Sequence, residues 1–127
     1  MIVVDASAAV GALLRDGEAR RYLSADSLAA PHLIDAEVLQ ALRKLAASGS
    51  VESADTEAAV RQWSRLGLTR LAVHGLTSRI WALRHNLSAY DASYVALAEA
   101  LECPLLTADA RLAGAPGPNC PITLVRR

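Results

Sequence analysis

The chain predicts an α/β sandwich built on a mainly parallel sheet, and three observations carry that prediction. Short apolar runs alternate with helical stretches along the 127 residues. The runs lack polar alternation, as expected of strands covered on both faces. Proline, glycine and serine punctuate the joints between runs and helices. A chain of this length, expected to form one domain spanning residues 1–127, can bury roughly two thirds of the surface its unfolded form exposes. It is 53% hydrophobic with three Tyr, two Trp and no Phe, so the core must be aliphatic.

Each element follows from local pattern. Ile2, Val3 and Val4 form a β-branched run that reads as a buried strand, closed by Asp5. Residues 6–14 read as a helix, and Gly17 interrupts before a second helical piece at 18–23. Residues 28–30 form a weak strand ended by Pro31. From 33 to 47, Ile34, Val38, Ala41, Leu42 and Leu45 share one helical stripe, and Ser48-Gly49-Ser50 stops it. Ser53 is expected to cap a helix running to Leu66 and stopped by Gly67, with a short strand at 71–73 and a helix at 77–85 after it. Asp91 is expected to open the helix carrying Val95, Ala98 and Leu101, which Pro104 ends before Leu105 and Leu106 form another buried strand. Asp109 follows, with a helical turn through Leu112. A Pro- and Gly-rich loop, 114–121, leads to a last strand at 122–125. Repeats, low-complexity tracts and linkers are absent from the sequence.

Composition narrows the function. Thirteen basic and thirteen acidic residues give zero net charge, which argues against gripping nucleic acid by charge alone. Twelve of the thirteen cations are Arg and only Lys44 is Lys. Arg is the better shaped phosphate donor, although codon usage can produce the same bias. The uncharged stretch from Ala6 to Leu14 is too short for the roughly 20 apolar residues a membrane helix needs. With no basic leader ahead of an apolar segment, a cytoplasmic location is expected. Cys103 and Cys120 show no CxxC spacing and read as unpaired thiols packed as small apolar groups.

Four acids, Asp5, Glu37, Asp91 and Asp109, stand at or beside the joints between runs and helices. In parallel α/β sheets, ligands bind in the crevice outside the carboxyl ends of the strands, and Asp5 and Asp109 fall on that edge. Each acid also has a structural explanation. Asp5, Asp91 and Asp109 precede or open helical turns and could serve only as N-caps. Glu37 lies about 80° from the centre of the apolar stripe at ~100° per residue, and Asp35 is about as far off on the other side, so periodicity leaves both open. Taken together the acids make a stronger case. Two like charges ~4 Å apart repel by about 4 kcal/mol at an effective dielectric near 20, and no Lys or His lies within five positions of Asp5. A compensating cation is expected, and carboxylates without Cys or paired His suit Mg²⁺ or Mn²⁺. His32, His74 and His85 lack ligand spacing and read as surface or core residues. Crowding of this kind predicts that Mg²⁺ raises the melting temperature and that Asp91→Asn stabilises the metal-free protein.

The strings IVVDASAAV, LIDAEVLQALRKL, LSAYDASYVALAEAL and CPLLTADARL, in this order and spacing, resemble the PIN domain of VapC-type toxins. The resemblance covers essentially the whole chain and implies a three-layer PIN-like sandwich. It further implies a Mg²⁺-dependent endoribonuclease that acts on cellular RNA, forms a homodimer and is held inactive by a VapB-like antitoxin whose basic segment enters the acidic pocket. By that resemblance Asp5, Asp91 and Asp109 are metal ligands and Glu37 is a ligand or the acceptor that positions the attacking water. Thr107 then matches a hydroxyl that orients the acids, with Ser7 as a further supporting residue. Arg15, Arg20, Arg21, Arg43 and Lys44 are candidate phosphate contacts, against the simpler reading of solvated helix faces.

Competing chemistries fit less well. A receiver-type phosphoacceptor needs adjacent acids after the first strand and a late Lys, and a phosphatase with an Asp nucleophile needs DxD where this chain has Asp5-Ala6-Ser7. The alternative that stands is a catalytically idle PIN-like module whose acidic crevice holds a basic peptide.

Overall fold

A computed structural model describes residues 1–126. Five parallel strands, β1 (Ile2–Val4), β2 (Leu28–Pro31), β3 (Thr69–Leu71), β4 (Leu105–Thr107) and β5 (Ile122–Leu124), form one sheet in the order β3-β2-β1-β4-β5. Seven α-helices among the described residues connect them: α1 (Ala6–Leu14), α2 (Glu18–Ala25), α3 (Ile34–Ala47), α4 (Ser53–Arg65), α5 (Thr77–Ala82), α6 (Ala89–Leu101) and α7 (Ala110–Ala113). The α/β, mainly parallel reading of the sequence is borne out.

The topology decides where a site can form. From β1 the chain winds outward through β2 to β3, then returns past its starting strand to place β4 and β5 on the other side. The β1–β4 boundary is therefore the point where winding reverses, and their carboxyl ends splay a crevice there. Val3 pairs with Leu105 and Val4 with Leu106, so Asp5 and Thr107 emerge side by side.

Packing follows the apolar pattern. Val3, Val4, Ala29, Ala30, Leu105 and Leu106 are at most 1% exposed, as strands covered on both faces require. Helices α1, α2, α3 and α4 pack on one another, whereas α5 packs on α6, giving a helical layer to each side of the sheet. On α3 the buried residues are Ile34, Val38 and Leu42, three of the five in the predicted stripe, with Ala41 and Leu45 half-buried. Each fully buried aliphatic side chain contributes roughly 1.5–3 kcal/mol.

Four local expectations change. Strand β3 lies two residues earlier than predicted, because Thr69 and Arg70 pair with Ala29 and Ala30 through backbone bonds that leave little apolar signal in an edge strand. Ser53 is the first residue of α4 rather than its cap, and Glu52 holds the cap position without a side-chain bond. The helix expected at 77–85 is preceded by a 3₁₀ turn at His74–Leu76 and ends at Ala82. Helix α6 is capped by Ser88, whose Oγ accepts the Asp91 backbone N–H at 3.1 Å, so Asp91 stands in the first turn and does not cap it.

Candidate active site

Asp5 is the centre of the crevice and is only 5% exposed. It caps α1, as the sequence allowed, with Oδ1 accepting from the Ala8 N–H at 2.9 Å and from Ser7 Oγ at 2.7 Å. Its other oxygen, Oδ2, accepts from Thr107 Oγ1 at 2.5 Å. Thr107 is fully buried and also accepts the Asp109 N–H at 3.0 Å, while Ser7 Oγ accepts the Ala108 N–H at 2.9 Å. These bonds tie the end of β1 to the end of β4 and fix the orientation of Asp5. Three acceptor positions of the carboxylate are filled and one on Oδ2 remains. Burial raises the Asp5 carboxyl above its ordinary value; the bonds from Thr107, Ala8 and Ser7 oppose that rise and the charge of Asp91 adds to it.

Glu37 enters from α3. The buried Tyr94 of α6 donates its O–H to Glu37 Oε1 at 2.5 Å, joining two helices 57 residues apart. Burial raises the Glu37 carboxyl; the Tyr94 bond opposes this, and the charges of Asp91 and Asp5 add to it. Asp5, Glu37 and Asp91 thus lie within electrostatic reach of one another. Asp109 joins through Arg111, whose Nη2 donates to Asp91 Oδ2 at 3.1 Å and to Asp109 Oδ2 at 3.2 Å. Asp109 also caps α7, accepting the Arg111 N–H at 2.9 Å.

Arg111 corrects one expectation. Among the described residues no three His, Cys, Asp or Glu side chains stand close enough to form a ready-made metal cage. Instead, a cation belonging to the chain bridges two of the four acids, so compensation does not fall to a metal ion alone. Removing the charge of Asp91 would therefore also strip Arg111 of a partner, and the expected stabilisation by Asp91→Asn no longer follows. Sequence reasoning missed Arg111, Tyr94 and Ser88. Arg111 was the most accessible of these, lying two residues after Asp109 in the string that carries the resemblance.

Asp35 and Glu37 differ in what each touches. Asp35 accepts from Trp63 Nε1 at 2.8 Å and from Arg70 Nε at 2.6 Å, a tie between α3, α4 and β3. The bond with Arg70 holds its carboxyl below the ordinary range, against a smaller opposing effect of burial. Arg20 donates to the carbonyls of Ala12 at 2.8 Å and Leu13 at 3.3 Å, closing the end of α1. Arg15 and Lys44 line a groove that reaches Ser7 and Glu37, whereas Arg21 and Arg43 are exposed on their helices. All three histidines are exposed, and both cysteines are free, Cys103 buried and Cys120 half-buried. Burial pushes the Cys120 thiol up to about 11.

A crevice at the reversal point of a parallel sheet, walled by carboxylates and hydroxyls, is where an α/β fold of this class binds its ligand. Comparison with known proteins gives the particular family. Residues 2–117 match the PIN domain family. Ribonuclease VapC9 of Mycobacterium tuberculosis is 56% identical over 127 residues, covering all of both chains. Two solved structures are similar in fold. PAE2754 from Pyrobaculum aerophilum is 27% identical, with a TM-score of 0.67 over 88% of this chain and 76% of that one. A toxin–antitoxin complex from Klebsiella pneumoniae is 20% identical, with a TM-score of 0.70 over 97% and 96%. The chain belongs to the PIN-domain family, in its VapC-type ribonuclease branch.

The donor set fits the metal this family implies. Every candidate ligand is a carboxylate oxygen, which suits a small hard dication better than zinc. Asp5 keeps an open acceptor position, and Asp91 and Asp109 share a partner that is 69% exposed and therefore displaceable.

Proposed function

We propose that this protein is a divalent-metal-dependent endoribonuclease toxin that cuts RNA phosphodiesters and is held inactive by a cognate VapB-like antitoxin. The observation that carries the reading is the oriented, buried carboxylate of Asp5 at the reversal point of the sheet, within electrostatic reach of Glu37 and Asp91. Asp5, Asp91 and Asp109 would hold Mg²⁺, with Mn²⁺ as a substitute. Bound there, the ion would lower the pKa of a water and offset charge on the phosphodiester.

The protein's own groups do the positioning. Thr107 and Ser7 keep both Asp5 oxygens oriented, so little reorganisation is needed on loading. Glu37, braced by Tyr94 and holding a proton more readily than an ordinary carboxylate, is suited to accept a proton from the attacking water. Among the basic candidates, Arg15 and Lys44 on the groove are the best placed for phosphates.

An antitoxin partner is supported by that groove, of about 1430 Å³, between α1, α3 and α4. Val10, Leu14, Ala41 and Leu45 make it apolar and Glu37 gives it an acidic end, which fits an amphipathic segment with a basic terminus. A homodimer follows from the family alone. The chain contains no helix long and apolar enough to cross a membrane among the described residues.

The test is cleavage of RNA by purified protein with and without EDTA. Cleavage should be lost on chelation, restored by Mg²⁺ or Mn²⁺, and reduced by several orders of magnitude in Asp5→Asn with folding intact. Cleavage that persists in Asp5→Asn would refute the site. A protein that binds the antitoxin yet never cuts RNA would instead be the idle module.

A further inference from the structure

Arg111 stands against two of the four acids for which the sequence had called for a compensating cation. Its Nη2 alone bridges Asp91 Oδ2 and Asp109 Oδ2, at 3.1 and 3.2 Å, and its backbone N–H holds the other oxygen of Asp109. The two side-chain bonds are long for charge-assisted pairs, share one nitrogen and lie in solvent. Such a contact compensates charge and is readily exchanged. From this geometry we infer that Arg111 is a built-in counter-cation, which neutralises Asp91 and Asp109 in the metal-free protein and is displaced when a dication takes their oxygens.

The reason is electrostatic exclusion. A guanidinium and a dication cannot both sit against the same two Oδ2 atoms without strong mutual repulsion. Metal binding must therefore break both bonds of Arg111, and its affinity is lowered by whatever they contribute. The device keeps the acids from repelling one another before loading. Arg111 is a positioning residue in this role, since it acts through Asp91 and Asp109.

The inference rests on the metal reading, and one experiment separates their failures. Mn²⁺ binding is measured by calorimetry on the folded wild type, Arg111→Gln and Arg111→Lys, without RNA. Arg111→Gln should bind Mn²⁺ about threefold to tenfold more tightly, the scale of two exposed ion pairs. Arg111→Lys, which restores the positive charge, should return affinity toward wild type. Equal or weaker Mn²⁺ affinity in Arg111→Gln would overturn the role of Arg111 and leave the metal site standing. Absence of Mn²⁺ binding in every variant would overturn the metal reading, and this inference with it.

Discussion

Glu37 shows how a single carboxylate can be poised by its surroundings. It is half-buried on α3, accepts one strong bond from Tyr94 and faces the charges of Asp91 and Asp5. Its folded carboxyl therefore holds a proton more tightly than the ordinary value of 4.5. A raised carboxyl contributes stability that is fully present below its unfolded value and is lost as pH rises through the folded one. Glu37→Gln keeps an acceptor for Tyr94 and removes the titration. In EDTA the variant should match wild type near pH 3 and become more stable above the folded value, by about 1 kcal/mol or less. Denaturant melts across that range check this, and a gain that is present at low pH and vanishes at neutral pH would contradict the environment described. The same Gln substitution should slow cleavage, because it removes the proposed proton acceptor.

At the scale of elements, the start of α6 shows how a cap frees the side chain of a proposed ligand. An Asp ahead of an apolar helix is a natural N-cap. Here Ser88 takes that position three residues earlier and holds the backbone of Asp91, whose carboxylate turns to Arg111 and the crevice. Ser88→Ala should cost about 1 kcal/mol of stability and weaken Mn²⁺ affinity, as the first turn that carries Asp91 loosens. Calorimetry and thermal melts on the same sample check both parts. Weakened stability with unchanged affinity would show that the rest of α6 is enough to hold Asp91. Asp5 and Asp109 differ, since each caps its own helix and is also a proposed ligand. For these two residues the capping and functional explanations were never exclusive.

For the whole molecule, a metal ion held at the proposed site would couple loading to stability. The crevice is walled by β1, β4, α3 and α6, elements brought together only in the folded state. An ion that binds this state and not the unfolded chain stabilises it by mass action. At tenfold excess over the dissociation constant, Mg²⁺ should add about 1.4 kcal/mol, a rise of roughly 4–7 °C in melting temperature for a chain of this size. Asp5→Asn should abolish that rise. An identical melting curve for wild type with and without Mg²⁺ would count against the proposed ligands.

Asp5 and Asp109 were legible as edge residues because a buried parallel strand is an uninterrupted apolar run, and whatever follows it lies at the edge of the sheet. The apolar stripe of α3 was legible by its period, and the order of strands and helices largely followed. Periodicity could not choose between Asp35 and Glu37, which are symmetric about that stripe. The family resemblance pointed to Glu37, and the neighbours brought by the fold separate the two, Arg70 and Trp63 for Asp35 and Tyr94 for Glu37. Nor could sequence show how the acids are compensated, since the guanidinium that bridges Asp91 and Asp109 does so across the gap between α6 and α7. Local pattern is written in neighbours along the chain and so determined the elements, their order and the acids at the strand ends. Charge compensation acts through space over a few ångströms, so the partners of those acids were decided only by the tertiary structure.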